Sequence, residues 1–368
     1  MKKKQIGLLL MLCTAIGTMT GCSNEAENAG MGKATEVIAS EDVSIKEQKE
    51  QTASLWDVPE TYTKTIENIT FDVKVEFPKE WKNCQVYKSK AERITYSKEK
   101  IEQVLGKVSY DWETWEENKD GGYLSADDCG VTYFTELGEH ITNCVDLDAR
   151  AGNINQYKKD TDLSFMTRQE AYEKVLHTLS DMGIEMEEVT YTSYALDFET
   201  LQAQEYVMDA DGSQLEEYKK QDWSIEDECY LFLIRQNVQG APEYHVYGNA
   251  FVRMEEGNAP IQIYYSKNGI ERMDIEKGFR ITQEEEILTL LDFEEIAQAA
   301  VKELNNREKT SSYQLSSAQM CFMTPALGDE MTPVWVFQAE EKTVDGENYP
   351  VTVIINAQTG ELSAIGCR

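Results

Sequence analysis

From Phe71 to Phe77 every second residue is apolar: Phe71, Val73, Val75 and Phe77 alternate with Asp72, Lys74 and Glu76. Successive side chains of a strand point to opposite faces, whereas a helix would scatter these four around its surface. The run must therefore lie in a sheet with one face covered and one face wet. Pro78 ends it, because proline brings no N–H to a ladder. Shorter runs that read as strands follow at 84–87, 131–134, 141–145, 188–194, 205–208, 230–234, 244–247, 261–265, 316–322, 334–340 and 351–356.

Helical periodicity is confined to three places. Ser97 is placed to cap a helix with Ile101, Val104, Leu105 and Val108 on one face, the i, i+3, i+4, i+7 spacing of a buried stripe. Thr167-Arg168-Gln169-Glu170 is a capping box. Behind it Tyr172, Val175, Leu176, Leu179 and Met182 form a stripe that Gly183 can close. Asp292, three residues before Glu295, opens a third stripe of Phe293, Ile296, Ala297, Ala300, Val301 and Leu304. A helix followed by antiparallel strands in each part of the chain predicts an α+β fold. Two or three small modules are expected, each an amphipathic helix packed on an antiparallel sheet: an N-terminal module at 56–155, a middle one at 160–280 and a C-terminal one at 281–368. The stretch Val207-Met208-Asp209-Ala210-Asp211-Gly212-Ser213-Gln214-Leu215 aligns with Ile354-Ile355-Asn356-Ala357-Gln358-Thr359-Gly360-Glu361-Leu362. Tyr265-Ser266-Lys267-Asn268-Gly269-Ile270 is a looser third copy, and together they favour duplication of one module.

The chain begins with Lys2, Lys3 and Lys4, then an apolar run over residues 6–16, then small residues up to Gly21. That layout defines a secretion signal, and its core is shorter than the about 20 apolar residues a membrane span needs. Met19-Thr20-Gly21-Cys22 resembles the lipobox of bacterial lipoproteins, with Met19 where leucine is preferred. The resemblance implies removal of residues 1–21 and a lipid on Cys22, which would hold the protein on the extracytoplasmic face of the cell membrane. Residues 22–55, rich in Glu, Ala, Ser, Lys and Gln, are expected to be a flexible tether.

Loss of the leader's three lysines moves the formal charge from −32 to −35. Such an acidic surface repels nucleic acid and anionic headgroups, so the lipid is the expected contact with the membrane. Six cysteines remain beyond the leader and the lipobox: Cys84, Cys129, Cys144, Cys229, Cys321 and Cys367. None forms a CxxC pair. Cys129 and Cys144 flank an expected hairpin and are the candidate disulfide in an exported chain; buried free thiols are the alternative.

His140, His177 and His245 form no HExxH, and neither GxSxG nor a P-loop or Rossmann glycine pattern occurs. His177 falls off its helix stripe, which makes it a solvated residue; His140 and His245 fall on or beside strands. Asp209-x-Asp211-Gly212 has its glycine at the fourth position where a calcium loop needs it at the sixth. No catalytic residue, metal or cofactor is expected. Trp112 and Trp115, in an acidic loop-like stretch, are the candidate binding aromatics, with Trp223 a further stacking candidate; Trp335, in an alternating run, belongs in a core.

Pro333-Val334-Trp335-Val336-Phe337, the run from Tyr349 to Ile355 and the turn Asn356-Ala357-Gln358-Thr359-Gly360-Glu361-Leu362 resemble the end of PepSY-type modules and of membrane-anchored regulators of cell-wall sensor kinases. Asn356 stands where those modules carry aspartate. The overall layout is similar to uncharacterised lipoproteins of Clostridia-type Gram-positive bacteria. The resemblance implies a non-catalytic extracytoplasmic module that binds or restrains a partner protein. The expected function is a surface-anchored, non-enzymatic lipoprotein that binds or regulates another envelope protein. The alternatives are an extracellular ligand- or solute-binding lipoprotein and, behind it, an envelope hydrolase.

Overall fold

The strand demanded by the alternation at Phe71 is present. Thr61–Ile66 (β1) and Ile69–Glu76 (β2) form an antiparallel hairpin, and β2 buries Ile69, Phe71, Val73 and Val75 while Asp72, Lys74 and Glu76 face water. The computed structural model describes residues 56–82, 84–106, 122–127, 130–147, 152–186, 188–208, 213–244, 259–276, 278–325 and 329–367. Cys22, the tether, Trp112, Trp115, Cys129, His245 and the Asp209–Gly212 turn lie outside them.

After β2 come Tyr87–Arg93 (β3), Lys98–Leu105 (α1), Gly122–Asp127 (β4), Gly130–Thr135 (β5) and Glu136–Thr142 (α2). Lys158–Lys159 (β6), Arg168–Asp181 (α3), Val189–Leu196 (β7) and Phe198–Gln204 (α4) follow. Cys229–Val238 (β8), Ala241–Tyr244 (β9), Ile261–Ser266 (β10), Gly269–Glu276 (β11) and Phe279–Ile287 (β12) make up the next run of strands. The last elements are Phe293–Arg307 (α5), Ser312–Met323 (β13), Glu330–Lys342 (β14), Asn348–Asn356 (β15) and Leu362–Cys367 (β16).

Sixteen strands join in one mixed sheet, against five α-helices among the described residues. This corrects the expected α+β fold class of two or three helix-on-sheet modules: the fold is largely β. The reason lies in edge pairing, which no local pattern encodes. β2 pairs in parallel with β13, Ile69 opposite Tyr313, so an N-terminal strand completes a sheet made near the C-terminus. β4 and β5 go elsewhere, with β5 pairing β11.

The strands fall into two tracts. One runs β1-β2-β13-β14-β15-β16 and the other β6-β7-β8-β10-β11-β5-β4. β9 links them, continuing β8 through a hairpin and pairing β13 at Phe322 and Met323. The β3–β12 ribbon attaches to the start of β14. Over the first tract α5 buries Phe293, Ile296, Ala297, Ala300 and Leu304 against Phe71, Trp335, Phe337, Val353 and Ile355. Trp335 is fully buried there, so Trp335→Ala is worth about 3–5 kcal/mol of stability. Over the second tract α3 buries Tyr172, Val175 and Leu179 against Phe232, Ile234 and Ile263, while the opposite face of β8 carries a third core with Leu231, Leu233, Tyr194 and Trp223.

Three local readings change. The run 141–145 is the end of α2 and the turn after it, because the Thr135 hydroxyl accepts from Gly138 N and starts a helix. Gly138 fits there because a Cβ would collide with the Glu271 carbonyl. The run 84–87 becomes strand only at Tyr87. Residues 205–208 follow α4 and hold a single bridge, Met208 to Gln214, in place of a strand. The capping boxes at Thr167 and Asp292 form as read, and no helix among the described residues is long and apolar enough to cross a membrane.

Candidate functional site

The Asp197 carboxylate accepts from Thr200 N and starts α4, which ends at Gln204. The next residue, Glu205, turns inward and is only 4% exposed. A buried carboxylate needs hydrogen-bond donors on both oxygens. His140 Nδ1, from α2, donates to Oε1 at 3.1 Å. The Lys220 amide donates between the two oxygens, at 3.0 and 3.1 Å. Trp223 Nε1 donates to Oε2 at 2.9 Å. The Trp223 ring meets His140 edge-on, and Lys220 Nζ lies 5.8 Å from its centre.

Glu205 and Lys220 are the two ends of one excursion of the chain, so this carboxylate ties a loop shut at its neck. Further ties lie just inside: Tyr206 N donates to Asn143 O at 2.9 Å, and Leu215 N to Val207 O at 2.9 Å. A loop whose ends are held together is a common carrier of function, because its tip is presented without being free to collapse. This one presents apolar side chains. Tyr206, Met208 and Tyr218 are 49%, 56% and 63% exposed, and nearby Ile225 is 54% exposed. Those four are half of the large exposed apolar side chains among the described residues; Val104, Ile287, Val344 and Leu362 are scattered elsewhere. Exposed apolar side chains concentrated in one segment, residues 206–225, point to a contact surface in a way that single scattered ones do not. Its surroundings are acidic, with nine Asp and Glu against two Lys over residues 205–228.

The chain matches no family model, and no curated protein matches it. A solved structure does resemble it: the crystal structure of an uncharacterized protein from Eubacterium rectale ATCC 33656, with a TM-score of 0.57 and 17% identity, covering 83% of this chain and 93% of that one. The likeness is one of fold. What the site does has to be read from its own chemistry.

Of the residues singled out from sequence, Cys144 sits beside the neck. It is buried, its Sγ donates to His140 O at 3.3 Å, and its carbonyl accepts from Asn153 Nδ2 and Tyr157 OH. Burial, reinforced by the nearby Glu205 charge, pushes its thiol far up. The fully buried Cys229 is shifted the same way, burial again the main cause. Burial thus disfavours the thiolate form of both, the form that attacks or ligates a metal. His140, expected on or beside a strand, belongs to α2 and joins Glu205. Trp223 joins it too, while Trp335 is in the first core. His177 is exposed on α3, 3.6 Å from Asp181. Among the described residues no group of three His, Cys, Asp or Glu side chains could hold a metal ion. Sequence reasoning missed Glu205 and Lys220, because the partners that give them meaning come from α2 and from the far end of the loop.

Glu205 thus accepts from three donors that belong to α2 and to the far end of the loop. The arrangement is suited to holding a surface in shape.

Proposed function

We propose that this chain is a non-enzymatic lipoprotein, anchored through Cys22 on the outer face of the cell membrane, that binds or restrains another envelope protein with the 206–219 loop. The observation that carries the reading is that Tyr206, Met208, Tyr218 and Ile225, all exposed, are concentrated on and just after a loop pinned by Glu205. Exposed aromatics held in one geometry lose little entropy on docking, which is the character of interface hot spots. The acidic surround selects a partner whose apolar contact face is rimmed by lysine or arginine, and it would speed encounter more than it tightens the final complex. The tether expected at 22–55 supplies reach from the membrane, and the lipid raises the local concentration of the loop at that surface.

The reading is tested by cross-linking native membranes that carry the lipidated protein and recovering it with its neighbours, with Cys22→Ala as control. One enriched envelope protein with a basic contact surface, lost in the control, supports the proposal. Recovery of the lipidated protein alone overturns it.

A further inference from the structure

A second concave surface, independent of the loop, lies on the face of β7 and β8 that also carries the third core. Along β8 the residues Leu233, Arg235 and Asn237 share one face, and the register sets Thr190 opposite Arg235 and Thr192 opposite Leu233. Lys159 of β6 borders the cleft on one side. Gln319 of β13 and the Gly240 and Pro242 turn of the β8–β9 hairpin close it on the other. The enclosed volume is about 320 Å³, the small end of ligand sites.

The charge at this place is out of keeping with the chain. The protein has 67 acidic residues against 35 basic ones, yet the side chain of the half-buried Arg235 makes no ion pair or hydrogen bond among the described residues. The acid whose field reaches it is Glu243 on β9. Glu243 is fully buried, and burial pushes its carboxyl up to about 8, with Arg235 pulling the other way. At neutral pH Glu243 is therefore mostly uncharged, and among the described residues no other carboxylate pairs with the guanidinium. Around Arg235 stand neutral groups that can both donate and accept: the Thr190 and Thr192 hydroxyls, the Asn237 amide within 3.4 Å of Thr190, and the Gln319 amide, whose Nε2 donates to Glu76 and leaves its oxygen to accept.

We infer that this cleft binds a carboxylate of amino-acid or dipeptide size, with the Arg235 fork on the carboxylate and the Thr190, Asn237 and Gln319 oxygens receiving the ligand's N–H groups. A guanidinium matches the planar carboxylate through two parallel hydrogen bonds. A phosphate monoester has Lys159 for its second charge but no nest of backbone amides, because those of β8 are committed to its neighbouring strands, so the planar carboxylate is the better match for the guanidinium.

Calorimetric titration of the intact protein distinguishes these ligands. The probes are N-acetylalanine, acetyl-Ala-Ala with a free carboxylate, the same dipeptide as its C-terminal amide, and inorganic phosphate. The expected result is saturable binding of one or both free carboxylates, none of the amide, and at least about tenfold weaker binding of phosphate. Which of the two carboxylates binds more tightly sets the length of ligand the cleft accepts. Arg235→Gln should abolish binding and Arg235→Lys should retain part of it. Should Arg235→Gln fail to fold, Asn237→Ala, at the cleft's edge, is expected to weaken binding with an unchanged melting curve. Equal binding of the amide, preferential binding of phosphate, or no binding of any probe overturns the inference.

Discussion

Glu205 at the neck of the loop and Glu243 on β9 are both carboxylates removed from water, but their surroundings differ. Glu205 receives a histidine, a tryptophan and a backbone amide. Among the described residues Glu243 has an Oε2 with no hydrogen-bond partner, and the charge that acts on it is that of Arg235. The first organises what surrounds it. The second is a local loss of stability, kept beside a cation that would otherwise be neutralised. Burial alone does not separate a structural carboxylate from a functional neighbourhood; the count of satisfied lone pairs does.

The comparison breaks first at the neck. Glu205→Ala leaves the Trp223 indole, the His140 ring and the Lys220 amide without their acceptor, and is expected to lower stability by about 3 kcal/mol or more. Chemical denaturation measures it, and hydrogen exchange should show the Lys220 amide deprotected well before the strands. Glu243→Gln should act in the opposite direction. The folded protein holds this proton up to about pH 8, against an ordinary value of 4.5. Stability from this group is therefore intact below about pH 4.5 and lost progressively as pH rises to 8. Glutamine removes that slope, with a gain on the order of 1–3 kcal/mol at pH 8 and little change near pH 4, read from melting curves across pH. The smallest effect on stability belongs to the loop surface. Tyr206→Ser and Tyr218→Ser, both exposed, should stay within about 0.5 kcal/mol of the parent.

Local physics was legible in the residues and non-local pairing was not. The α3 and α5 stripes came with capping boxes, and β2 with a clean alternation, so each announced itself within a dozen residues. Ile141 and Val145 were read as strand because a short apolar run fits either period, and Thr135 decided for helix. α4 has only seven residues, too few for a stripe. The fold class differs for another reason: local patterns do not say which edges meet, and the edge of β2 meets β13 and not a strand of its own neighbourhood, while of the expected α1 stripe only Ile101 is buried and Val104 is exposed. The neck was illegible for the same reason. Trp223 and His140 each stood out as residue types, but only the fold brings them to Glu205.

The most direct test of the partner-binding account is capture from cross-linked membranes by the lipidated protein and by its Tyr206→Ser/Tyr218→Ser double variant, with melting curves recorded for both. The account predicts that a basic-faced envelope protein recovered by the parent is lost or reduced about tenfold in the variant, while the two proteins melt alike. Undiminished capture by a variant that melts like the parent would contradict it, and would move the contact away from this loop.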